Sequence, residues 1–315
     1  MPTKLIRSIY NLNKSHRNGV ITIGNFDGVH MGHQELLAQV CKKANTLNVP
    51  SLAITFEPHP FEFFSGKNQT IPRITRLREK FKALSKSGID YVMVLPFNQL
   101  IAEKSASDFI REILVDQLSP NYIIIGDDFH FGHQRLGNLA LLQEQSLLYH
   151  YQAEAISSVL MEGSRVSSTR VRMALQKGDL RLTERLLGRT FTLLGRVARG
   201  KQLGRQLGFP TINIHLHRKR TPIEGVYTVK VYGLSKSPLP GAANIGTRPT
   251  VDGTVCLLEV HLLNFDQDVY GRYVTVEFCE KLHDEIRYPN LDILKKNIAI
   301  DVEIARNYFN KKGML

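Results

Sequence analysis

The first half of the chain alternates short apolar runs with longer stretches in which apolar residues recur every three or four positions. The short runs predict buried strands at 20–24, 51–56, 91–95 and 122–126. The periodic stretches predict helices at about 34–46, 75–86 and 106–117. Strands that alternate with helices at this spacing are typical of a parallel sheet with helices on both faces. The pattern therefore predicts an α/β domain over residues 1–185.

From about residue 186 the pattern changes to a period-two alternation of apolar and polar residues, with turn residues between the runs. Strands are predicted at 191–198, 211–215, 225–232, 241–245, 256–262 and 273–278. Six strands without intervening helices favour a small closed antiparallel β-barrel. The chain ends in an amphipathic pattern after Asn290, which predicts a capped helix that covers the barrel. Residues 186–315 thus form the second predicted domain.

Composition narrows the class of protein. With 43% hydrophobic residues in 315, a sizeable core is expected. There is neither a signal-peptide pattern nor an apolar run long enough for a membrane span, so a cytoplasmic protein is expected. Three widely spaced cysteines indicate neither a disulfide framework nor a metal site. The net charge of +12 favours anionic partners, whether nucleotides, nucleic acid or acidic membrane.

The segment GNFDGVHMGHQ follows the first predicted strand and enters the first predicted helix. His30 and His33 lie three residues apart, so they share one face of that helix. A helix N-terminus presents backbone N–H groups to anions, and two imidazoles beside it can donate hydrogen bonds to a polyphosphate. A solvated histidine face is the simpler alternative. Zinc is disfavoured because the spacing is not that of HExxH, and a Rossmann site because GxGxxG is absent.

Polar residues also follow the other predicted strands, where ligands bind to parallel sheets. His59 stands in EPHP and Asn98 in PFNQ, while GDDF carries Asp128. Each could equally be a turn residue. The later segment SRVSSTRVR opens a predicted helix and places Arg165 and Arg172 near its start, which suits a triphosphate.

The second half carries another set of polar residues in the segment RGKQLGRQLGFPTIN. Its glycines and cations predict a flexible basic loop, although no Walker A motif is present. Thr211 and Asn213 are two apart on a predicted strand, and their hard oxygens suit Mg²⁺. Further on, Glu259 and His261 share one face of an apolar strand, where an acid is costly unless it is paired or functional. An inward salt bridge is the alternative for Glu259.

Taken together, these motifs resemble one family. GxFDGVHxGH, FEPHP, LPFNxxxA, GxDFxFG and SSTxxR match, in this order, the bacterial bifunctional riboflavin kinase/FMN adenylyltransferases. LGFPTIN, ANIGTRPT and LEVHLL are similar to their riboflavin kinase half. The resemblance implies that riboflavin and ATP yield FMN and ADP, and that FMN and ATP then yield FAD and pyrophosphate. It implies Mg²⁺ as the cofactor, and neither a nucleic-acid nor a membrane partner.

The resemblance also implies residue roles. The catalytic set would be His30, His33, Arg172 and Glu259. ATP would contact Gly24, Asn25, Phe26, Asp27, Arg165, Ser168, Thr169, Gly200, Lys201 and Gly204. The flavin would contact His59, Asn98, Asp128 and Arg287, and the metal would lie on Thr211 and Asn213. Two departures occur, because His130 and His283 stand where the family usually has arginine.

Two other interpretations remain open from the sequence. One is an adenylyltransferase whose barrel is not catalytic, against which PTIN and Glu259 both argue. The other is an RNA-binding protein, which only the positive charge suggests. No aromatic RNA-recognition motif accompanies that charge.

Overall fold

The computed structural model describes residues 2–65, 71–200, 203–218, 220–250 and 253–315. The chain divides into two compact units. The first comprises Met1–Ile71 and Thr75–Ser168, and the second comprises Pro72–Ile74 and Thr169–Leu315. The predicted domain boundary near residue 185 stays a prediction.

Among the described residues, the first unit contains a six-stranded parallel sheet in the order β1-β4-β3-β2-β5-β6. Its strands are β1 (Lys4–Arg7), β2 (Val20–Ile23), β3 (Ser51–Glu57), β4 (Tyr91–Pro96), β5 (Tyr122–Gly126) and β6 (Gln152–Ile156). A short antiparallel hairpin follows, formed by β7 (Leu160–Met161) and β8 (Ser164–Arg165). The apolar runs predicted as strands are the four central strands, each buried over most of its length.

Helices connect these strands. They are α1 (Met31–Leu47), α2 (Pro60–Phe64), α3 (Leu77–Ser85), α4 (Gln99–Glu103), α5 (Ala106–Asp108), α6 (Asp116–Leu118) and α7 (Leu139–Tyr149), with a π-helical segment, Phe109–Val115, joining α5 to α6. Two buried apolar clusters pack against the sheet. The parallel sheet expected from the sequence is thereby confirmed.

The strand order indicates where a ligand binds to the sheet. From β2 the chain moves to β3 and β4 on one side, whereas β5 lies on the other side of β2. Ligands of open α/β sheets bind where the winding reverses in this way, beyond the carboxyl ends of the two strands. The loop after β2, at residues 24–30, and the loop after β5, at residues 127–128, both lie at this point.

The second unit begins with the helices α8 (Ser168–Lys177), whose first residue still belongs to the first unit, and α9 (Leu180–Leu187). The strands that follow are β9 (Thr192–Ala198), β10 (Ile212–His215), β11 (Gly225–Tyr232), β12 (Leu239–Thr250), β13 (Gly253–Leu262) and β14 (Tyr273–His283). In the described part of this unit they form a closed antiparallel barrel in the order β10-β13-β12-β11-β14-β9. A short helix, α10 (Leu203–Gln206), lies between β9 and β10.

The last helix, α11 (Leu291–Asn310), packs on the outside of the barrel. Asn290 caps it as predicted, because its Oδ1 accepts a hydrogen bond of 2.9 Å from the Ile293 N–H. The buried residues Val302, Ala305 and Phe309 form a cluster with Ala242 of β12. The expected barrel and its covering helix are both confirmed.

Some elements escape the sequence pattern. The edge strands β1 and β6 are short and only partly buried, so their apolar pattern is weak. The barrel strands β12 and β14 extend beyond their predicted ends, to Thr250 and His283. No helix in the described part of the chain has the length and hydrophobicity of a membrane span.

Candidate functional sites

The loop after β2 is held in an unusual conformation. Phe26 and Val29 have φ angles of 48° and 44°, a left-handed region that L-residues avoid and that is especially unfavourable for a β-branched valine. Strain of this kind costs about 1–3 kcal/mol and persists only where surrounding contacts impose it. Thr75 supplies such contacts, because its N–H donates to Asp27 Oδ1 at 2.9 Å and its Oγ1 accepts from the Gly28 N–H at 2.9 Å.

The two histidines of this segment stack at the start of α1. Their ring centroids are 3.7 Å apart and the ring planes differ by 17°. His30 is the N-cap of α1, and its Nδ1 accepts a hydrogen bond from the His33 N–H at 3.4 Å. Since Nδ1 is an acceptor, a neutral His30 carries its proton on Nε2.

The glycine between the histidines has a steric role. A Cβ on Gly32 would lie 3.3 Å from the Nδ1 atom of His30, which is tighter than ordinary van der Waals contact. Any larger residue would therefore push the His30 ring away from its capping position. The HxGH spacing is thus a packing requirement of the stacked pair.

A buried lysine lies close to this pair and was not predicted from the sequence. Lys80 of α3 is completely buried, and its Nζ donates to Thr55 Oγ1 at 3.0 Å. Thr55 Oγ1 in turn donates to the carbonyl of Asn25 in the loop after β2, at 3.2 Å. The sequence did contain an indication of this burial, because Lys80 lies at helical spacing from Leu77 and Leu84, on the apolar face of α3.

The surroundings of His33 favour its neutral form. Burial is the main reason that its pKa lies well below 6.5, and the positive charges at His30, Lys80 and Arg165 lower it further. A neutral imidazole retains one N–H donor. His33 can therefore donate a hydrogen bond at neutral pH without bringing a charge of its own.

Several polar groups predicted as ligand contacts lie in the first unit near the loop after β5. Arg165 forms an ion pair with Asp128. The neighbouring Asp127 accepts from the Ser158 hydroxyl, which is the main reason that its pKa is lowered. Ser168, the last residue of the first unit, donates to the carbonyl of Asp27 in the loop after β2 at 2.8 Å.

His59 and Asn98 both cap helices. His59 is the N-cap of α2, and its Nδ1 accepts from the Phe61 N–H at 3.1 Å. Asn98 is the N-cap of α4, with its Oδ1 accepting from the Ile101 N–H at 3.1 Å. An aromatic group lies beside these helices, in which the rings of Phe63, Phe64 and Phe97 meet edge to face with centroids 5.4–5.7 Å apart.

Two residues predicted to bind the triphosphate, Thr169 and Arg172, belong to the second unit. The Nε of Arg172 donates to the carbonyl of Pro72 at 3.2 Å. The departure at His130 lies on an exposed loop, where its Nδ1 is 3.0 Å from the carbonyl of Asp128.

A row of three polar side chains crosses the barrel wall of the second unit. Glu259 of β13 is the register partner of Asn213 on β10 and of Asn244 on β12. Ala242 and His261 are the next partners along the same face, and Ala242 packs against α11. The row therefore faces α11.

This arrangement corrects one expectation. The sequence left open an inward-facing Glu259 in a salt bridge, but its neighbours Leu258 and Val260 are the residues buried in the wall. Because side chains alternate along a strand, Glu259 points to the opposite, outer face. The carboxylate is therefore half-buried beneath α11 and lies outside the barrel core.

Two cavities meet at Asn213 of this row. The larger, about 580 Å³, is lined by Glu259, Asn244, His283, Asp301 and the first turns of α11. The smaller, about 300 Å³, is lined by Gly200, Arg205 and the segment 265–270. Thr211 and Asn213 line both cavities. Two ligands could thus approach one another at these two side chains.

The backbone around Thr211 and Asn213 leaves little space for side chains. A Cβ on Gly200 would collide with the Asn213 amide, and one on Gly204 would lie 3.2 Å from Thr211 Oγ1. A hydroxyl and an amide oxygen held in this way fit a hard divalent cation that takes its remaining ligands from water and phosphate. Lys201, also predicted to contact ATP, lies outside the described residues.

His283 and Asp301 form an ion pair in the larger cavity, with His283 Nε2 2.9 Å from Asp301 Oδ1. Arg287, predicted to contact flavin, is exposed in the segment between β14 and α11. The chain thus contains an α/β unit with a stacked HxGH pair at its switch point and a barrel in which Thr211 and Asn213 lie between two cavities. These features define a nucleotide-dependent group-transfer enzyme.

Comparisons with known proteins give the family. Residues 12–170 match the FAD synthetase family, and residues 187–309 match the riboflavin kinase family. The chain is 46% identical over 307 residues to the bifunctional riboflavin kinase/FMN adenylyltransferase of Haemophilus influenzae, covering 98% of this chain and 99% of that protein. This chain belongs to the family of bifunctional riboflavin kinase/FMN adenylyltransferases.

Two further relatives carry the same description, and one solved structure is similar in fold under a different description. The enzymes of the same description from Escherichia coli K12 and Pseudomonas fluorescens are 45% and 46% identical, covering 97% and 96% of this chain and 98% and 97% of theirs. A crystal structure described as a macrolide-efflux protein from Streptococcus pneumoniae has a TM-score of 0.80 at 27% identity, covering 98% of this chain and 99% of that one.

The two matched families support both activities in one chain. The protein phosphorylates riboflavin with ATP and adenylylates the resulting FMN to FAD. Its substrates are accordingly flavins and ATP, and enzymes of these families use a divalent metal ion. The single-activity and RNA-binding interpretations are not favoured, because both halves match catalytic families over nearly their full length.

Proposed function

We propose that adenylyl transfer takes place at the stacked histidines. The FMN phosphate oxygen attacks the α-phosphorus of ATP, a new P–O bond forms, and the bond to the β-phosphate breaks to release pyrophosphate. His30 donates through Nε2–H and neutral His33 through its one N–H to charge that develops on the phosphates. The N-terminus of α1 adds backbone N–H groups. The close stacking of the two rings supports this assignment.

The remaining groups of the first half would position the two substrates. Gly24, Asn25, Phe26 and Asp27 form the loop that ATP would approach, and Ser168, Thr169, Arg165 and Arg172 would bind its phosphates. Arg165 would exchange Asp128 for phosphate oxygens when ATP binds, since a carboxylate and a phosphate each present two anionic oxygens to a guanidinium. The exposed ring of Phe64, beside Phe63 and Phe97, offers a flat aromatic surface to a flavin near His59 and Asn98.

For the kinase reaction we infer that riboflavin occupies the larger cavity and ATP the smaller. Glu259 lines only the larger cavity, while Thr211 and Asn213 line both. Glu259 would accept the proton of the terminal ribityl hydroxyl as its oxygen attacks the γ-phosphorus, and ADP would leave. Asn244, next to Glu259 in the row, has an Oδ1 that is buried without a hydrogen-bond partner among the described residues, which suits a second ribityl hydroxyl.

We propose Mg²⁺ as the metal of the kinase site, held by Thr211 Oγ1 and the Asn213 side-chain oxygen. The ion, when bound, neutralises charge on the ATP phosphates. The protein contributes the cradle, in which Gly200 and Gly204 let these oxygens sit against the loop. Lys201 and Arg287 would contact ATP and the flavin, respectively.

The kinase assignment rests on Thr211 and Asn213, because these two residues line both cavities. Replacing their side-chain oxygens tests the assignment. Thr211→Val with Asn213→Leu keeps side-chain size but removes both ligands. We expect FMN formation from riboflavin, ATP and Mg²⁺, followed by chromatography, to fall at least roughly 100-fold. FAD formation from supplied FMN should persist. Thr275→Val, another barrel threonine, is the control, and brisk FMN formation by the double variant would refute the assignment.

A further inference from the structure

One ion pair joins the wall of the barrel to the helix that closes the larger cavity. His283 is the last residue of β14, and Asp301 lies on α11. The distance from His283 Nε2 to Asp301 Oδ1 is 2.9 Å, and the two side chains are 27% and 14% exposed. Both residues line the cavity that also contains Glu259. A change in this contact would therefore alter the shape of the cavity.

The other ring nitrogen of His283 also meets an acceptor. Its Nδ1 is 2.7 Å from the backbone carbonyl of Asp284. A neutral imidazole has one N–H, so it can satisfy only one of these two oxygens. The imidazolium form has an N–H on each nitrogen and satisfies both. Donation to both oxygens, with Asp301 ionised, therefore needs the protonated ring.

The charges around His283 agree with this requirement. Burial alone would lower the pKa of His283, but the Asp284 carbonyl and the Asp301 carboxylate outweigh it and raise the pKa above 6.5. Burial raises the pKa of Asp301 above 3.8, whereas the nearby His283 imidazolium lowers it. The imidazolium therefore stabilises the ionised form of the Asp301 carboxylate. On β14 and the following segment the neighbouring charged or titratable groups are Lys281, which pairs with Asp284 at 2.6 Å, and Glu285, Arg287 and Tyr288. Glu259 and His261 face the same cavity from β13.

We propose that His283 is a positioning residue for the kinase reaction, whose protonated ring holds α11 against the barrel wall and thereby shapes the riboflavin end of the cavity. The proposal rests on the assignment of riboflavin to the larger cavity. The pair connects β14 to the helix whose residues Leu294 and Ile298 line that cavity. Loss of one proton leaves a single N–H, so the ring can no longer donate to both the Asp284 carbonyl and the Asp301 carboxylate, and the positive charge that attracts the carboxylate is lost.

The direction of the pH effect follows from the raised pKa. A group whose folded-state pKa is higher than its unfolded value contributes its contact fully below about 6.5 and loses it as pH rises through the folded-state pKa. The KM for riboflavin should therefore increase between pH 6 and pH 9. An increase of roughly three- to tenfold is expected, since the pair is charged but partly exposed.

The test compares permanent and titratable cations in the full-length enzyme. The KM and kcat of riboflavin phosphorylation are measured from pH 6 to pH 9 for the parent, His283→Arg, His283→Gln and Asp301→Asn. The parent's KM should rise with pH, the arginine variant's should stay flat, and the glutamine variant's should be high throughout. His215→Gln, an exposed histidine of β10 that lines neither cavity, should retain the parent's pH dependence.

A second measurement separates positioning from a merely structural role. Proton NMR of the histidine C2–H resonances should give a pKa above 6.5 for His283 in the parent, and a lower one in Asp301→Asn. Superimposable KM profiles for the parent and His283→Arg, or an unshifted His283, would overturn the proposal. If Glu259→Gln leaves the kinase intact, the cavity assignment fails. If Glu259→Gln abolishes the kinase reaction while the KM profiles of the parent and His283→Arg coincide, only the positioning role of His283 fails.

Discussion

Replacing Glu259 by glutamine tests the chemical role of the carboxylate in the row with Asn213 and Asn244. Glutamine keeps the size and most hydrogen bonding of glutamate but cannot take a proton from the ribityl hydroxyl. Because Glu259 is half-buried on the outer face of β13, between two amide side chains, the substitution leaves the packing of the barrel wall intact. Its effect should fall on kcat, with little change in the KM for riboflavin.

The magnitude follows from the role of a general base. Such assistance is worth about 10²–10⁴ in rate, which corresponds to about 2.7–5.4 kcal/mol of activation free energy. A surface glutamate that lost only its charge would have no comparable effect. Glu280→Gln, an exposed position on β14, is therefore the matched control and should retain the parent's kcat.

The assay follows two reactions in one protein sample. Riboflavin with ATP and Mg²⁺ reports FMN formation, and supplied FMN with ATP reports FAD formation. Glu259→Gln should nearly abolish the first reaction and leave the second close to the parent's rate. Brisk FMN formation would show that Glu259 is not the base. Loss of both activities in a folded protein would refute independent catalysis by the two halves.

Two other predictions concern the first half of the chain. Replacing both His30 and His33 by alanine should lower FAD formation from FMN by more than 10²-fold, since one lost donor of this type is worth roughly 3–4 kcal/mol. His30→Asn preserves helix capping but lacks the Nε2–H donor, so it should also lose activity, whereas the exposed control His150→Ala should keep it. Near-normal FAD output from the double variant would refute the assignment. Lys80→Met removes a buried cation beside His33, so the pKa of His33 should rise and FAD formation should fall roughly tenfold, less than for a direct donor. Lys82→Met on the exposed face of α3 should change neither quantity, and an unchanged His33 pKa in Lys80→Met by NMR would contradict the electrostatic role.

Much of the fold could be predicted because its elements are local. The four central strands of the sheet are continuous apolar runs, and α11 shows both its cap and its apolar stripe in the sequence. The HxGH spacing predicted that His30 and His33 lie together, and their rings do stack, although His30 is the N-cap that precedes α1 and not a residue of the helix itself. By contrast, the edge strands β1 and β6 bury too little surface to leave a clear pattern.

The contacts between distant segments depended on tertiary structure. The pairing register of β10, β13 and β12 aligns Asn213, Glu259 and Asn244. These three side chains face outward because the residues that alternate with them along each strand face the barrel core. Lys80 reaches Thr55 only because α3 packs on β3, and Asp301 meets His283 only because α11 folds back on the barrel. The local sequence pattern determined the helices, the strands and the motifs. Packing between segments that are far apart in the sequence decided which charged residues share a site, because the interaction energies between such residues exist only once the chain is folded.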